Sequence, residues 1–127
     1  MTAGSAPLGQ DFDLAPGRSV RVEDLEVRME RVADDSRCPI DIECLWPGDA
    51  TVVIDLLSVS GETSHELHTA RQFGDQVTRD DYVVRLVDLL PPRRHAGPKR
   101  LDYRARLRVS LTWTARLRRL VRRASTT

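Results

Sequence analysis

Residues 101–111, LDYRARLRVSL, decide the fold class because apolar and charged side chains alternate along them with a period of two. A β-strand places successive side chains on opposite faces, whereas a helix would scatter these residues around its axis. The segment therefore predicts a strand with one face in the core and the other in water. The two faces are Tyr103, Ala105, Leu107 and Val109 against Arg104, Arg106 and Arg108.

Four other segments have the same β character. Residues 18–30 predict either one long strand with a bulge or two short strands. Residues 50–57, ATVVIDLL, are nearly continuously apolar and predict a central strand covered on both faces. After a turn at residues 60–62, residues 64–69 give a weaker return strand. Residues 82–90, YVVRLVDLL, predict a strand that the following Pro-Pro pair must end.

These strands predict an all-β chain: a small antiparallel β-sandwich, immunoglobulin-like as first choice, or a small barrel. A length of 127 residues suits one domain. Residues 1–11 are interpreted as a flexible leader, residues 12–110 as the β-domain and residues 111–127 as a basic amphipathic tail. The tail predicts a short helix because its apolar residues recur at helical intervals: Trp113, Leu117, Leu120 and Val121.

Charge is balanced overall, with 20 Lys and Arg against 19 Asp and Glu, which argues against a nucleic-acid-binding role. The basic charge is concentrated in residues 111–127, which contain five Arg and no acid, so peripheral contact of this tail with a membrane is one possible use. No apolar stretch is long enough for a transmembrane helix. The first residues, MTAGSAPLGQ, do not have the pattern of a signal peptide, so the expectation is a cytoplasmic protein or an exported one whose signal has been removed.

The most distinctive segment is residues 34–50, DDSRCPIDIECLWPGDA, which connects two predicted strands. Its cysteines, Cys38 and Cys44, are separated by five residues, a spacing that a folded-back loop can bridge. A disulfide is the favoured interpretation, and a pair of free buried thiols is the alternative. Trp46 is expected to lie against the bridge or to cap one end of the core.

This loop resembles a family of uncharacterised bacterial envelope proteins, often lipoproteins, that share a D-S-R-C-P stretch, five residues from Cys to Cys, and then C-x-W-x-G-x-A. The matching residues are Asp35, Ser36, Arg37, Cys38 and Pro39, followed by Cys44, Trp46, Gly48 and Ala50. The likeness continues more faintly in residues 82–92 and around Tyr103, and covers roughly residues 12–110. It implies a small secreted β-domain with a disulfide and an extracytoplasmic location, and it supplies no activity.

Metal binding is the main alternative. Zinc could use the two cysteines with His65 and His68, but histidines three apart on a strand face opposite ways and the cysteine spacing is unusual for zinc. Calcium could use the acids of the loop, since hard cations take several oxygen ligands, although solvated carboxylates are the favoured interpretation. These acids are Asp34, Asp35, Asp41, Glu43 and Asp49. No cofactor is predicted.

The function predicted from the sequence is a non-catalytic binding or structural module of the bacterial envelope. Its partner would be a protein, a glycan or a surface polymer. No nucleophile elbow, phosphate loop or His-Glu-x-x-His motif supports an enzyme. A basic loop between the last two strands could bind an anion or an acidic partner, or could simply be solvated: Arg93, Arg94, His95, Lys99 and Arg100.

Overall fold

Eight strands, one 3-10 turn and one helix form the regular secondary structure of the computed structural model, which describes residues 4–98 and 100–125. The strands are β1 (Asp11–Leu14), β2 (Ser19–Val22), β3 (Leu25–Asp35), β4 (Ala50–Ser58), β5 (Gly61–His68), β6 (Gln76–Arg79), β7 (Tyr82–Leu90) and β8 (Arg104–Leu111). The 3-10 turn spans Arg71–Phe73, and helix α1 spans Trp113–Ser125. Lys99, one of the predicted basic-loop residues, lies outside the described residues.

The strands form two antiparallel four-stranded sheets, with strand orders β1-β8-β7-β6 and β2-β3-β4-β5. A single cluster of buried side chains from both sheets lies between them, so the predicted β-sandwich is confirmed. Most sheet neighbours are also chain neighbours, so each sheet is a meander, with β1 added beside β8. This connectivity differs from the interleaved strand order of an immunoglobulin domain.

The alternation that predicted β8 is confirmed residue by residue. Ala105, Leu107 and Val109 are fully buried, and Tyr103 packs against the same core just before the strand begins. On the outer face, Arg106 and Arg108 form ion pairs with aspartates of β1. One sheet face therefore carries the apolar contacts and the other carries exposed ion pairs, as a period of two requires.

Residues 18–30 form two strands rather than one bulged strand. β2 and β3 are joined at Glu23 and Asp24, and Glu23 adopts a positive φ of 53° that reverses the chain. The prediction that β4 is covered on both faces is wrong in part. Val53 is buried on the outer face, but Leu57 on the same face is 42% exposed, because only one face of this sheet packs against the other sheet.

The described part of the N-terminal segment differs from the expected flexible leader. The Ala6 amide donates to the Arg21 carbonyl at 2.9 Å, and the Gly9 amide donates to the Val109 carbonyl at 2.8 Å. Leu8 packs against the core. Residues 4–10 thus bond to the edge strand β2 of one sheet and, next to β1, to β8 of the other.

Helix α1 begins where β8 ends, so the predicted helical tail is confirmed. The Ala115 amide donates to the Thr112 hydroxyl at 3.2 Å, which caps the first turn. Ala115 itself is buried against the sandwich. Among the described residues, no helix has the length and apolarity needed to cross a membrane.

The connections lie at two opposite ends of the sandwich, because the strands run antiparallel. One end holds the connections 36–49, 69–75 and 91–103, and we call it the stapled end because its first connection contains both cysteines. The other end holds the turns at 23–24, 59–60 and 80–81 together with α1, and we call it the helix end. Strand β4 starts at the stapled end and finishes at the helix end, and β7 runs the other way.

Candidate functional site

A disulfide joins Cys38 to Cys44 at the stapled end, with the two Cα atoms 6.0 Å apart. The predicted bridge is therefore confirmed. Closing so short a ring stabilises the folded state by roughly 2 kcal/mol through the entropy removed from the unfolded chain. Trp46 is not among the buried side chains of the core. It is half exposed, and its ring contacts Phe73 edge-on with the centroids 6.2 Å apart.

Backbone hydrogen bonds hold the loop as a narrow extension of the β3–β4 hairpin. The amide and hydroxyl of Ser36 both donate to the Asp49 carbonyl, at 2.7 and 2.8 Å. The Cys38 amide donates to the Pro47 carbonyl at 2.8 Å. Gly48 lies in this ladder with a positive φ of 76°, and the two arms of the loop pass so closely there that no side chain fits.

Asp35 and Arg37 link the two sheets at the stapled end. The Arg37 guanidinium makes a bidentate contact with Asp35, 2.8 Å for each N–O pair. It also donates to the Leu89 carbonyl at 2.6 Å and to the Pro91 carbonyl at 3.0 Å. The Tyr103 hydroxyl donates to Asp35 at 2.9 Å. These loop residues therefore have a structural role, because a largely buried ion pair satisfies carbonyls at and just after the end of β7 in the opposite sheet.

This network sets the protonation of its members. Burial opposes ionisation of Asp35, but the hydrogen bonds from Arg37 and Tyr103 outweigh it and lower the pKa of the carboxyl. Burial and the neighbouring Asp35 carboxylate raise the pKa of Tyr103. Asp35 is thus a carboxylate, and Tyr103 a hydroxyl donor, throughout the neutral range.

Asp35→Asn should make the free energy of unfolding depend less on pH in the acid range. Because the folded-state pKa of Asp35 is lowered, its ionised form stabilises the fold above the unfolded pKa of about 3.9, and this contribution is lost as the pH falls through the folded-state value. Urea unfolding at a series of pH values from neutral to acid should show a smaller decrease in the free energy of unfolding for the variant than for the wild type. At pH 7 the variant should be less stable, because Arg37 loses its partner. If the unfolding free energy of Asp35→Asn fell with pH as steeply as that of the wild type, this assignment would be contradicted. Asp102→Asn, which removes an exposed carboxylate, is the matched control.

The acids proposed for calcium do not converge. Asp41 accepts hydrogen bonds from the amides of His95 and Ala96, which lower its pKa, and Asp49 contacts His68 Nδ1 at 2.7 Å. Asp34 and Glu43 are exposed. Among residues 4–98 and 100–125 no group of three or more His, Cys, Asp or Glu side chains could hold a metal ion, and both cysteines are used in the disulfide. Nothing in this geometry favours the metal-binding alternative.

The contact between Asp49 and His68 does not form a catalytic relay. The Thr51 hydroxyl lies 3.3 Å from the same Nδ1 atom that Asp49 contacts. A nucleophile–histidine–aspartate relay needs the hydroxyl and the carboxylate on different ring nitrogens. Asp49 also accepts from the Ala70 amide at 2.9 Å, so it fixes the start of the connection that carries the 3-10 turn.

We call the disulfide-bridged connection 36–49 the stapled loop. The predicted basic loop packs on it instead of extending into solvent as a unit. The Ile40 amide donates to the Arg93 carbonyl at 2.9 Å, and the Arg93 guanidinium donates to the Arg37 carbonyl. Arg93 is consequently half-buried, while Arg94, His95 and Arg100 stay exposed. The loop thus contributes one anchored arginine and an exposed basic rim.

The three connections of the stapled end enclose a cleft of about 490 Å³. Its walls include Arg37, Arg71 and Arg93, together with Thr69 and Gln72. Large apolar side chains are exposed on the stapled loop and on the 3-10 turn at this end, and one of them, Ile40, lines the cleft: Ile40, Ile42, Leu45, Trp46 and Phe73. We call these five side chains the apolar rim.

The loop is distinctive in the sequence, but Trp46 is the one member of the apolar rim that the sequence singled out. Phe73 and Arg71 lie in a segment with no periodic signal, and only the folded chain brings them beside the loop. The alternation of Ile40 and Ile42 with acids inside a polar loop was the available signal for exposed apolar residues. Pro39, the remaining residue of the loop signature, shapes the turn through its carbonyl, which accepts from the Ile42 amide at 3.4 Å.

The fold and this end together define a small disulfide-bonded β-sandwich domain. Comparisons with protein-family models, with curated proteins and with solved structures found no match to the chain. The resemblance to bacterial envelope proteins stays a prediction from the loop residues.

Proposed function

We propose that this chain is a non-catalytic binding module of the bacterial envelope that recognises a protein partner through its stapled end. The observation that carries this proposal is the apolar rim: four large exposed apolar side chains on a loop that is held rigidly in place, and Phe73 on the 3-10 turn, which contacts Trp46 of that loop. Isolated exposed apolar residues are ordinary, but a cluster beside a cleft is typical of an interaction surface.

Rigidity is the first supporting argument. The disulfide, the Ser36 and Cys38 hydrogen bonds and the Arg37 ion pair all restrain the loop before any partner arrives. A binding loop that is already ordered loses little conformational entropy on association, so more of the contact energy appears as affinity.

Composition is the second supporting argument. Trp46 and Phe73 contact each other, and Arg71, at the start of the same 3-10 turn as Phe73, lines the cleft and is largely exposed. Tryptophan and arginine are the residues that most often dominate the binding energy of protein interfaces. The exposed Arg94 and Arg100 extend the positive charge, which favours a partner segment with carboxylates and a faster encounter.

The same bridge supports the proposed compartment. Disulfides persist in oxidising compartments and are rare in a reducing cytosol. Every described cysteine is in the bridge. This supports an extracytoplasmic location, the one implied by the likeness to envelope proteins.

Photo-crosslinking in cells that naturally produce the protein tests the proposal. A photoreactive amino acid at Leu45, which is fully exposed in the apolar rim, should give a discrete protein adduct. The matched control places the same group at Ser64, an exposed position on β5 away from both ends. Arg71→Glu in the Leu45 probe should remove the adduct, because it reverses charge beside the cleft.

Equal labelling from positions 45 and 64, or an adduct that survives both Arg71→Glu and Trp46→Ala, would contradict recognition at the stapled end. An adduct on glycan instead of protein would keep the site but replace the partner class. Circular dichroism of each variant confirms that the fold is kept, since both substituted side chains are at the surface.

A further inference from the structure

Helix α1 contacts the sandwich through its charged side. Arg118 forms an ion pair with Asp81 at 2.8 Å, and Arg119 forms one with Glu23 at 2.6 Å. Between them, Ala115 is buried. The hydrogen bond from Arg119 lowers the pKa of Glu23, and that from Arg118 lowers the pKa of Asp81, so both pairs are charged at neutral pH.

The apolar side of α1 points away from the sandwich. Its members recur at helical spacing and are between 46% and 70% exposed: Trp113, Leu117, Leu120 and Val121. At about 100° per residue they form one stripe, roughly opposite the stripe that holds Ala115, Arg118 and Arg119. We call these four residues the apolar stripe.

This orientation is the reverse of the usual one. A helix on a globular protein normally buries its apolar face and exposes its charges, because removing apolar side chains from water stabilises the fold. Here ion pairs to two turns, at Glu23 and Asp81, hold the charged face against the body. The apolar stripe is therefore left available to a medium other than water.

We propose that the apolar stripe of α1 lies in the surface of a bilayer that contains anionic lipid. The argument is charge complementarity. Residues 111–127 contain five Arg and no acid. Helical spacing places Arg116 and Arg123 along one border of the stripe, at the level where lipid headgroups would lie, and Trp113 at its first turn. Basic residues flanking a stripe with tryptophan are the pattern of helices that lie in the interface plane.

A second copy of the chain fits this face less well. Pairing two stripes would bring two sets of arginines to one seam, and neither helix has an acid to neutralise them. Like charges facing each other oppose association, whereas anionic headgroups attract the same arginines. Lipid is the occupant that satisfies both the apolar and the charged parts of the helix.

Vesicle binding of the full chain tests this proposal independently of the stapled end. In Trp46→Phe protein, Trp113 is the only tryptophan, so its fluorescence reports the helix. Vesicles of phosphatidylcholine with phosphatidylglycerol should shift its emission to shorter wavelength and carry the protein in flotation, and pure phosphatidylcholine vesicles should not. Leu117→Gln with Leu120→Gln should weaken partitioning at least about tenfold, since two buried leucines are lost while glutamine keeps the helix.

The matched control is Ile40→Gln with Leu45→Gln, which removes two exposed apolar side chains at the stapled end and should leave vesicle binding unchanged. Absence of binding to phosphatidylglycerol vesicles at low salt would overturn the proposal. Binding that the Leu117 and Leu120 substitutions do not alter would also overturn it. Sedimentation that shows a dimer lost in this double variant, without vesicle binding, would assign the stripe to a second copy instead.

Discussion

Gly48→Ala should destabilise the protein by about 3 kcal/mol or more, a large loss for a single methyl group. The left-handed conformation of Gly48 costs an alanine roughly 1–2 kcal/mol by itself. A Cβ atom there would also overlap the Ser36 carbonyl oxygen and lie 2.9 Å from Arg37 Cα. The loop must therefore separate, and the Ser36 and Cys38 hydrogen bonds that hold it weaken. Urea unfolding of the oxidised protein measures the loss.

Gly17→Ala is the matched control for this substitution. Gly17 has a φ of 85°, close to that of Gly48, but no atom lies within 4 Å of the position its Cβ would take. It should therefore show only the conformational cost, about 1–2 kcal/mol. Equal losses at the two positions would show that the close approach in the stapled loop adds nothing to the free energy of unfolding.

Leu107→Ala should cost about 2–5 kcal/mol, because it leaves a cavity where both sheets meet. Leu107 is fully buried in β8, opposite Leu86 of β7 and Phe12 of β1. Chemical denaturation with the disulfide intact gives the loss directly.

The neighbouring Arg106→Ala tests the same assignment of faces. Arg106 points outward to an exposed ion pair with Asp13, so its removal should cost much less than the loss of Leu107. If Arg106→Ala were the more damaging change, the two faces of β8 would have been assigned the wrong way round.

Strands with one apolar face could be predicted from the sequence because burial imposes a period of two on them. β7 has the predicted bounds, and the side chains of β8 that were predicted to face the core are buried. β5 and β6 are edge strands whose side chains are mostly polar or half exposed, so the same period is weak there. Hairpin β2–β3 stayed ambiguous because a single positive φ at Glu23 separates two strands from one bulged strand.

The site was less predictable than the fold because its contacts join distant parts of the chain. The spacing of Cys38 and Cys44 made the disulfide accessible from sequence. The role of Arg37 was not, since its carbonyl partners are Leu89 in β7 of the other sheet and Pro91 just after that strand. Likewise the helical period identified an apolar stripe on α1, but its direction depends on ion pairs with Glu23 and Asp81, far away in the chain.

The length of the strands keeps the two ends of the sandwich electrically independent. β4 and β7 have nine residues each and connect the ends, which at about 3.3 Å per residue places them roughly 30 Å apart. At physiological ionic strength the Debye length is about 8 Å, so the arginines at one end are screened from charges at the other. A charge reversal at Arg71 would therefore leave the potential around α1 unchanged, and the affinities of the two ends can change separately.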